Sequence, residues 1–153
     1  MSKPGADPEP VIAQVRAEAV RPVRGVVLRP GQPADRLIYP GDDAATSVHL
    51  GCLVEGERIV AVVSLYDEPM PGSDEPAWRI RGMATCEAFR SRGFGGLLLR
   101  ACVDHVLKTR PGVVWCNART TAAGFYRLNG FWQCGAEFEI ADIGPHVVMV
   151  RPA

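Results

Sequence analysis

A glycine-rich stretch at residues 90–96, Arg-Ser-Arg-Gly-Phe-Gly-Gly, constrains the possible folds of this chain more than any other feature. A strand is predicted just before it, at Trp78–Thr85, and an amphipathic helix just after it. The first turn of a helix has backbone N–H groups without an intrahelical partner, and glycines leave those groups open to an anion. Arg90 and Arg92 add positive charge that can pair with phosphate oxygens. The stretch is therefore suited to binding a pyrophosphate.

Two common nucleotide-binding motifs are not matched by this stretch. A Walker loop ends in Gly-Lys-Ser/Thr, whereas Gly95 is followed by Gly96 and Leu97. A dinucleotide fingerprint, GxGxxG, would need its third glycine at Leu98. A strand-to-helix turn that binds no ligand is the structural alternative.

Strands and helices alternate in the second half of the chain, after a hairpin in the first half. The hairpin strands are His49–Val54 and Arg58–Leu65, joined by Glu55-Gly56-Glu57. The later predicted elements are a helix from Gly93–Gly95 to just before Pro111, a strand at Val113–Cys116, a short helix at Thr121–Leu128, and strands at Phe131–Ile140 and His146–Val150. This order predicts an α/β fold with a mixed sheet and helices on both faces.

The amino-terminal part of the chain gives weaker signals. Residues 1–10 are polar and proline-rich, which predicts a flexible leader before a domain at 11–153. A helix is predicted within Val11–Val20. Prolines and glycines predict two long loops, Arg29–Asp43 and Tyr66–Pro76.

Composition excludes several functional classes. The 153 residues suit one domain, and the 17 basic residues are balanced by 17 acidic ones. That balance argues against nucleic acid and against an acidic membrane surface as partners. No CxxC pair occurs among the five cysteines, so neither a disulfide framework nor a metal site is predicted. No apolar run is long enough to span a bilayer, and a reducing, cytoplasmic location is expected.

Two ordered motifs make the chain resemble the GCN5-related N-acetyltransferase (GNAT) family. The first, Arg/Gln-x-x-Gly-x-Gly/Ala after a strand, is matched by Arg90, Gly93 and Gly95. The second, A-x-x-F-Y-x-x-x-G-F, is matched by residues 122–131. The resemblance covers the chain well from Arg58 to the carboxyl terminus and weakly before that.

Within the family, the chain is most similar to the small ElaA-like acyltransferases. The run WCNARTTAAGFYRLNGF and the later GPHVVM carry this likeness. The resemblance implies a single-domain, mostly antiparallel GNAT sheet that binds acetyl-CoA. It also implies transfer of the acetyl group to a primary amine by direct attack. A non-catalytic acyl-CoA sensor or scaffold is the alternative function.

The resemblance also implies roles for particular residues. The residues expected to contact coenzyme A are Met83, Ala84, Thr85, Arg90, Arg92, Gly93, Phe94, Gly95, Gly96 and Asn117. The family often has an asparagine seven residues before the tyrosine, where this chain has Arg119, and Asn117 lies two residues earlier. An asparagine that caps a strand end is the alternative for Asn117.

Tyr126 and His146 are the expected catalytic residues. By resemblance, Tyr126 supplies a proton to the coenzyme A sulfur. His146 is the best candidate for the base, because histidine titrates near neutral pH and this one lies on a late strand. The weaker candidates are Glu75, Glu137, Glu139 and His49.

The expected partner is a small-molecule amine whose identity the sequence does not encode. We expect its pocket to be built from the two proline-rich loops, because binding residues favour loops on a rigid scaffold. Asp42 and Asp43 could attract a cationic amine, or could be a solvated turn. The oligomeric state is left open, a homodimer included.

Overall fold

The computed structural model describes residues 9–153, so most of the predicted leader lies outside the described residues. Its strands form one sheet in the order β1-β2-β3-β4-β5-β7-β6. The strands are β1 Val11–Val15, β2 Val48–Val54, β3 Arg58–Asp67, β4 Ala77–Thr85, β5 Val113–Arg119, β6 Trp132–Ile140 and β7 Gly144–Pro152. The α-helices are α1 Ala17–Val23, α2 Phe94–Thr109 and α3 Ala123–Leu128. A π turn at Arg24–Leu28 continues α1, and short 3-10 turns lie at Ala34–Leu37, Glu87–Phe89 and Thr120–Ala122.

Helices cover both faces of the sheet, as predicted. On β3, Val63 and Leu65 belong to the larger buried cluster, which α2 and α3 complete. Val62, whose side chain points to the other face, packs with Val20 and Val23 of α1. The strand period of two therefore divides β3 between two apolar layers.

The amphipathic helix after the glycine-rich stretch is confirmed. Helix α2 begins at Phe94 and ends at Thr109. Its apolar stripe is fully buried at Leu98, Cys102 and Val106, each 0% exposed. Burying a leucine or valine side chain contributes roughly 1.5–3 kcal/mol, so this stripe fixes the helix on the sheet.

The predicted hairpin and the later strands are also confirmed. Strands β2 and β3 pair antiparallel from Val48 with Leu65 to Val54 with Arg58. Strands β6 and β7 form a second antiparallel pair at the other end of the sheet. Predicted boundaries differ from the observed ones by a few residues, as expected from fraying ends.

The helix predicted within Val11–Val20 is wrong in its first half. Residues Val11–Val15 form an edge strand whose register pairs Val11 with Leu53 and Val15 with His49. Only at Ala17 does α1 begin. The strand is stabilised by hydrogen bonds to a segment far along the chain, and local periodicity carries no signal of such pairing.

The strands β4 and β5 pair over only part of their length. They are parallel neighbours at Ala77–Arg79 and Val113–Trp115, and beyond these residues they separate. On its other edge, β4 has a bulge, because Val62 pairs with Ala84 while Ser64 pairs with Arg81. Gly82 and Met83 lie in this bulge, where Gly82 has a φ of +69°. The separation opens a cleft in the middle of the sheet.

Candidate active site

A cleft of about 530 Å³ lies between the separated ends of β4 and β5. Strand β4 contributes residues 79–83 and β5 contributes residues 116–119. The remaining lining residues come from the π turn and the following loop, from α3, and from β6, β7 and their connection; they include Leu28, Arg29, Tyr39, Tyr126, Asp142 and His146. The cleft brings together Met83, Asn117, Tyr126 and His146, which the sequence separates widely.

The other predicted coenzyme A residues lie outside this cleft. Ala84 is buried against α1, and Thr85 accepts a hydrogen bond from Arg90 Nε at 3.2 Å. Strand β5 pairs with β4 only as far as Arg79. From Ile80 onward, the edge of β4 that faces β5 therefore makes no backbone ladder with β5. Its backbone groups are available to an extended amide chain.

The glycine-rich stretch forms the amino-terminal end of α2. Gly93 is the N-cap and has a φ of +81°, a conformation that glycine adopts without strain. The first intrahelical bond runs from the Leu97 N–H to the Gly93 carbonyl at 3.2 Å. The N–H groups of Phe94, Gly95 and Gly96 precede that bond and have no acceptor within the helix. This end of α2 is a potential anion site.

Two arginines, Arg90 and Arg92, lie at this turn and add positive charge near the start of α2. Arg90 is exposed, and its Nε donates a hydrogen bond to the Thr85 carbonyl oxygen. Its other guanidinium N–H groups are not used in that bond. The Arg92 guanidinium lies 5.2 Å from the centroid of the Phe89 ring. Phe89 in turn stacks on Phe94 with ring centroids 6.2 Å apart. This aromatic pair holds the turn against the first residue of α2.

Gly95 and Gly96 have a packing role that the sequence did not reveal. A Cβ at Gly95 would lie 2.9 Å from Phe125 Cζ, and a Cβ at Gly96 would lie 3.2 Å from Asn129 Oδ1. Both glycines therefore let α3 approach the first turn of α2 closely. From the sequence alone, both glycines are expected only to let a phosphate approach the backbone.

Tyr126 is buried beside the cleft, at the base of the separated strands. Burial raises its pKa well above the ordinary value of 10, and the neighbouring Cys116 thiol raises it further. The ring is fixed by Phe125 and Phe131, with centroids 5.1 and 5.4 Å away. At neutral pH, the Tyr126 hydroxyl is therefore protonated, and the two aromatic contacts hold its ring in place.

His146 lies on β7 at the opposite wall of the cleft and is buried. Its Nδ1 is 2.8 Å from the Gly144 carbonyl oxygen, which can only accept a hydrogen bond. The proton of the neutral ring is therefore on Nδ1, and Nε2 has a free lone pair. This tautomer is the one that a general base needs.

Asn117 projects a polar atom into the cleft without a partner. Its Oδ1 is buried and accepts no hydrogen bond from any residue in the described range 9–153. Buried polar atoms are nearly always paired, so an orphaned acceptor beside a cleft indicates a donor from a ligand. Secondary amides, such as those of the pantetheine arm, supply that donor. The contact with coenzyme A thus stays a prediction for Asn117, beside the alternative of a strand cap.

The weaker base candidates are not at the cleft. His49 is buried, and both of its ring nitrogens have a partner. Nδ1 lies 2.6 Å from Ser64 Oγ, and Nε2 lies 2.9 Å from the Asp42 carbonyl oxygen. The three glutamates are exposed and do not line the cleft; they are Glu75, Glu137 and Glu139. His146 remains the one predicted base that the structure brings to the cleft.

The idea that Asp42 attracts a cationic amine is contradicted. Its carboxylate is buried and accepts hydrogen bonds from Arg24 and from Tyr66. These hydrogen bonds occupy both carboxylate oxygens inside the protein, so the charge of Asp42 is paired with Arg24 and is not available to an acceptor. Asp43 is exposed, as a solvated turn residue would be.

Several arginines at the cleft were not identified from the sequence. Arg79 and Arg81 line it from β4, Arg29 from the adjoining loop and Arg119 from β5. The signal was available in Trp78-Arg79-Ile80-Arg81, because alternate residues of a strand point to the same face. Two arginines separated by one apolar residue thus predict a basic face on β4.

Comparisons with known proteins show the family of this chain. Residues 17–131 match the Acetyltransferase (GNAT) family. YitI of Bacillus subtilis strain 168, an uncharacterised N-acetyltransferase, is 32% identical over 141 residues, which cover 92% of this chain and 94% of YitI.

Solved structures share the fold at low sequence identity. Escherichia coli ElaA has a TM-score of 0.75 at 18% identity, over 94% of this chain and 99% of ElaA. FeeM, an N-acyl amino acid synthase from uncultured soil microbes, has a TM-score of 0.76 at 15% identity, over 95% of this chain and 92% of FeeM. The predicted fold class, a mostly antiparallel mixed sheet with helices on both faces, is confirmed.

Between residues 9 and 153, no helix is long and apolar enough to cross a membrane. Within the same range, no group of three or more His, Cys, Asp or Glu side chains is arranged to hold a metal ion.

Proposed function

Because the chain belongs to the acetyltransferase (GNAT) family, we propose that it transfers an acetyl group from acetyl-CoA to a primary amine of a small molecule by direct attack. The single observation that carries this proposal is the arrangement of the cleft. A buried, protonated tyrosine and a histidine whose Nδ1 bonds to a carbonyl oxygen line the same cleft, together with Met83 and Asn117. The proposed catalytic domain is residues 11–153.

The donor would be held at the start of α2, along one edge of β4 and at Asn117. The N–H groups at the start of α2 and the two arginines of the turn would bind its pyrophosphate. The free edge of β4, from Ile80 to Thr85, would pair with its amide arm, and Asn117 Oδ1 would accept one amide N–H. In the bulge at Gly82 and Met83, ladder hydrogen bonding is interrupted. A backbone N–H there would stabilise the charge that develops on the thioester oxygen.

Acetyl-CoA supplies the acetyl group as a thioester, and the side chains of the cleft move the protons. His146 Nε2 takes a proton from the ammonium of the acceptor, directly or through water. The neutral nitrogen attacks the carbonyl carbon, a C–N bond forms, and the C–S bond breaks with its electron pair on sulfur. Tyr126 gives its proton to that sulfur and regains one from the nitrogen, while His146 returns its proton to solvent. The products are an N-acetylated amine and free coenzyme A.

The raised pKa of Tyr126 is compatible with this role. A thiol has an ordinary pKa of about 8.5, so a tyrosine is the weaker acid in water. A thiolate formed in the same desolvated pocket would also have its pKa raised by burial, which reduces the difference. Burial therefore raises the pKa of the proton donor and of the acceptor alike, so the raised pKa of Tyr126 does not by itself oppose the transfer.

A covalent route through cysteine is not supported by the pocket. Burial raises the pKa of Cys116 to about 12, so its thiol is protonated at neutral pH and is a poor nucleophile.

The cysteines are all unbonded, which supports a reducing, cytoplasmic location for the protein.

A two-stage experiment tests the proposal. Acetyl-CoA at millimolar concentration should raise the melting temperature, because a ligand that binds only the folded state stabilises it. A panel of primary amines should then produce free thiol at rates above those without amine. Binding without thiol release from any amine would favour the sensor or scaffold function. No thermal shift would contradict the assignment of acetyl-CoA as the donor.

A further inference from the structure

Arg81 is a half-buried cation without an acidic partner among residues 9–153, in contrast to several arginines of comparable or greater burial. Arg24 is paired with Asp42 at 2.7 Å and Arg79 with Glu68 at 2.9 Å. Arg110 is paired with Asp67 at 3.0 Å. Among the residues that the structure describes, no carboxylate lies within ion-pair distance of Arg81. Arg81 lies on the wall of the cleft, as does Arg29, which is also half-buried and has no acidic partner among the described residues.

The surroundings of Arg81 make this lack of a partner costly. Its guanidinium lies 4.4 Å from the centroid of the Tyr39 ring, which Arg24 also contacts at 3.9 Å. Burial lowers the pKa of Arg81, and repulsion from the neighbouring Arg79 lowers it further, with a smaller contribution from Arg29. A desolvated cation among other cations is unfavourable unless an anion joins it. Residues 9–153 therefore supply no counterion for this charge.

The cleft as a whole is basic. Its lining includes Arg29, Arg79, Arg81 and Arg119, against the single carboxylate of Asp142. Of these arginines, only Arg79 has an acidic partner among the described residues. Arg119 is the register partner of His146 across β5 and β7, so positive charge extends to the residue placed as the base. This charge is separate from Arg90 and Arg92, which lie at the start of α2.

We propose that the amine acceptor also carries an oxyanion, a carboxylate or a phosphate, which Arg81 binds. Arg29 and Arg119 add attraction from the rim, and Arg81 holds the acceptor so that its amino group faces His146. The planar guanidinium presents paired N–H donors that match either oxyanion. This assignment rests on the proposed function and names the substrate class of the same site.

Matched pairs of amines that differ only in the anion provide the test. Suitable pairs are β-alanine with β-alaninamide, lysine with lysinamide, and O-phosphoethanolamine with ethanolamine. For each pair, kcat/KM is measured by thiol release and referred to the unprotonated amine, which removes differences in amine pKa. In at least one pair we expect the anionic member to be favoured about 10- to 100-fold, as a charge-assisted hydrogen-bonded pair provides. The carboxylate and phosphate pairs distinguish the two oxyanions.

Variants of Arg81 connect the preference to this residue. Arg81→Gln should bring the ratio of anionic to neutral acceptor close to one, and Arg81→Lys should give an intermediate ratio. Arg100→Gln is the matched control, because Arg100 is exposed on α2 and outside the cleft. It removes one positive charge and should keep the ratio. The KM for acetyl-CoA in each variant separates an effect on the acceptor from an effect on the donor.

A second measurement keeps the proposal testable if Arg81→Gln does not fold. Propionate and inorganic phosphate, which have no amine, should inhibit the wild-type enzyme competitively against the amine and not against acetyl-CoA. Equal use of anionic and neutral amines, without such inhibition, would overturn the proposal while the proposed function stands. If no amine of any pair releases thiol, the proposed function fails, and this inference fails with it.

Discussion

The guanidinium of Arg24 forms a bidentate ion pair with the carboxylate of Asp42, with N–O distances of 2.7 and 3.1 Å. Arg24 belongs to the π turn after α1, and Asp42 closes the loop that carries Tyr39. Ser64 and Tyr66 of β3 accept further hydrogen bonds from Arg24, at 2.9 and 3.1 Å. The pair therefore fastens one wall of the cleft to the sheet. It explains how a proline-rich loop can be a rigid part of the site.

Asp42→Asn should destabilise the protein by about 3–5 kcal/mol, because it leaves the fully buried Arg24 without a counterion. Urea unfolding measures the change in the free energy of unfolding. Asp43→Asn is the control, since Asp43 is an exposed neighbour and its replacement should cost about 0.5 kcal/mol or less. Similar losses in both variants would show that the buried pair has no special role.

The same pair should make stability depend on acidic pH. Burial acts to raise the pKa of Asp42, but hydrogen bonds from Arg24 and Tyr66 outweigh it and hold the pKa at about 2. Since an unfolded aspartate has a pKa of about 3.9, the stabilisation is complete above that pH and is lost as the pH falls towards 2. The contribution is on the order of 2 kcal/mol. The difference in unfolding free energy between wild type and Asp42→Asn should therefore shrink between about pH 4 and pH 2. A constant difference across that range would contradict the assignment.

Sequence reasoning predicted the parts of the fold that local patterns specify. The α2 stripe and the β2–β3 hairpin have strong periodicity and turn chemistry, and both were predicted correctly. Strand β1 was missed because its pairing with β2 is a long-range property. Of the predicted site residues, Met83, Asn117, Tyr126 and His146 line the cleft, and their roles there stay predictions. The unpaired Arg81 and the buried Asp42 could not be predicted, because pairing and burial depend on which distant side chains meet.

Gly95→Ala should lower stability by about 1–3 kcal/mol, because the added Cβ would lie 2.9 Å from Phe125 Cζ. The helical backbone of Gly95 tolerates alanine, so the loss arises from crowding between α2 and α3. Phe125→Leu in the same chain should restore part of the stability, and a double-mutant cycle by urea unfolding measures this coupling. Additive effects of the two substitutions would show that α3 does not impose the glycine.

Tyr126→Phe should lower kcat by about 100-fold, the usual size of a general-acid contribution, because only the proton donor is removed. The ring and its contacts with Phe131 are kept, so the dissociation constant for acetyl-CoA should change less than about 2-fold. Isothermal titration and thiol-release kinetics on the same preparation separate the two effects. An unchanged kcat would remove Tyr126 as the acid and leave it as a packing residue.

Asn117→Leu should change the affinity for acetyl-CoA and the stability of the free protein in opposite directions. In the free protein, Asn117 Oδ1 is buried without a hydrogen-bond donor, and such a group costs about 1–3 kcal/mol. Leucine has a similar volume and no polar atom, so the melting temperature of the free protein should stay the same or rise.

The dissociation constant for acetyl-CoA should meanwhile increase about 3- to 10-fold, since one hydrogen bond to the ligand is lost. Thermal unfolding with and without acetyl-CoA measures both quantities on one sample. A structural asparagine that caps the strand would give the reverse pattern, with lower stability and unchanged affinity. Higher stability of the free protein together with weaker binding of acetyl-CoA would show that Asn117 is maintained for its ligand, at some expense to the stability of the free protein.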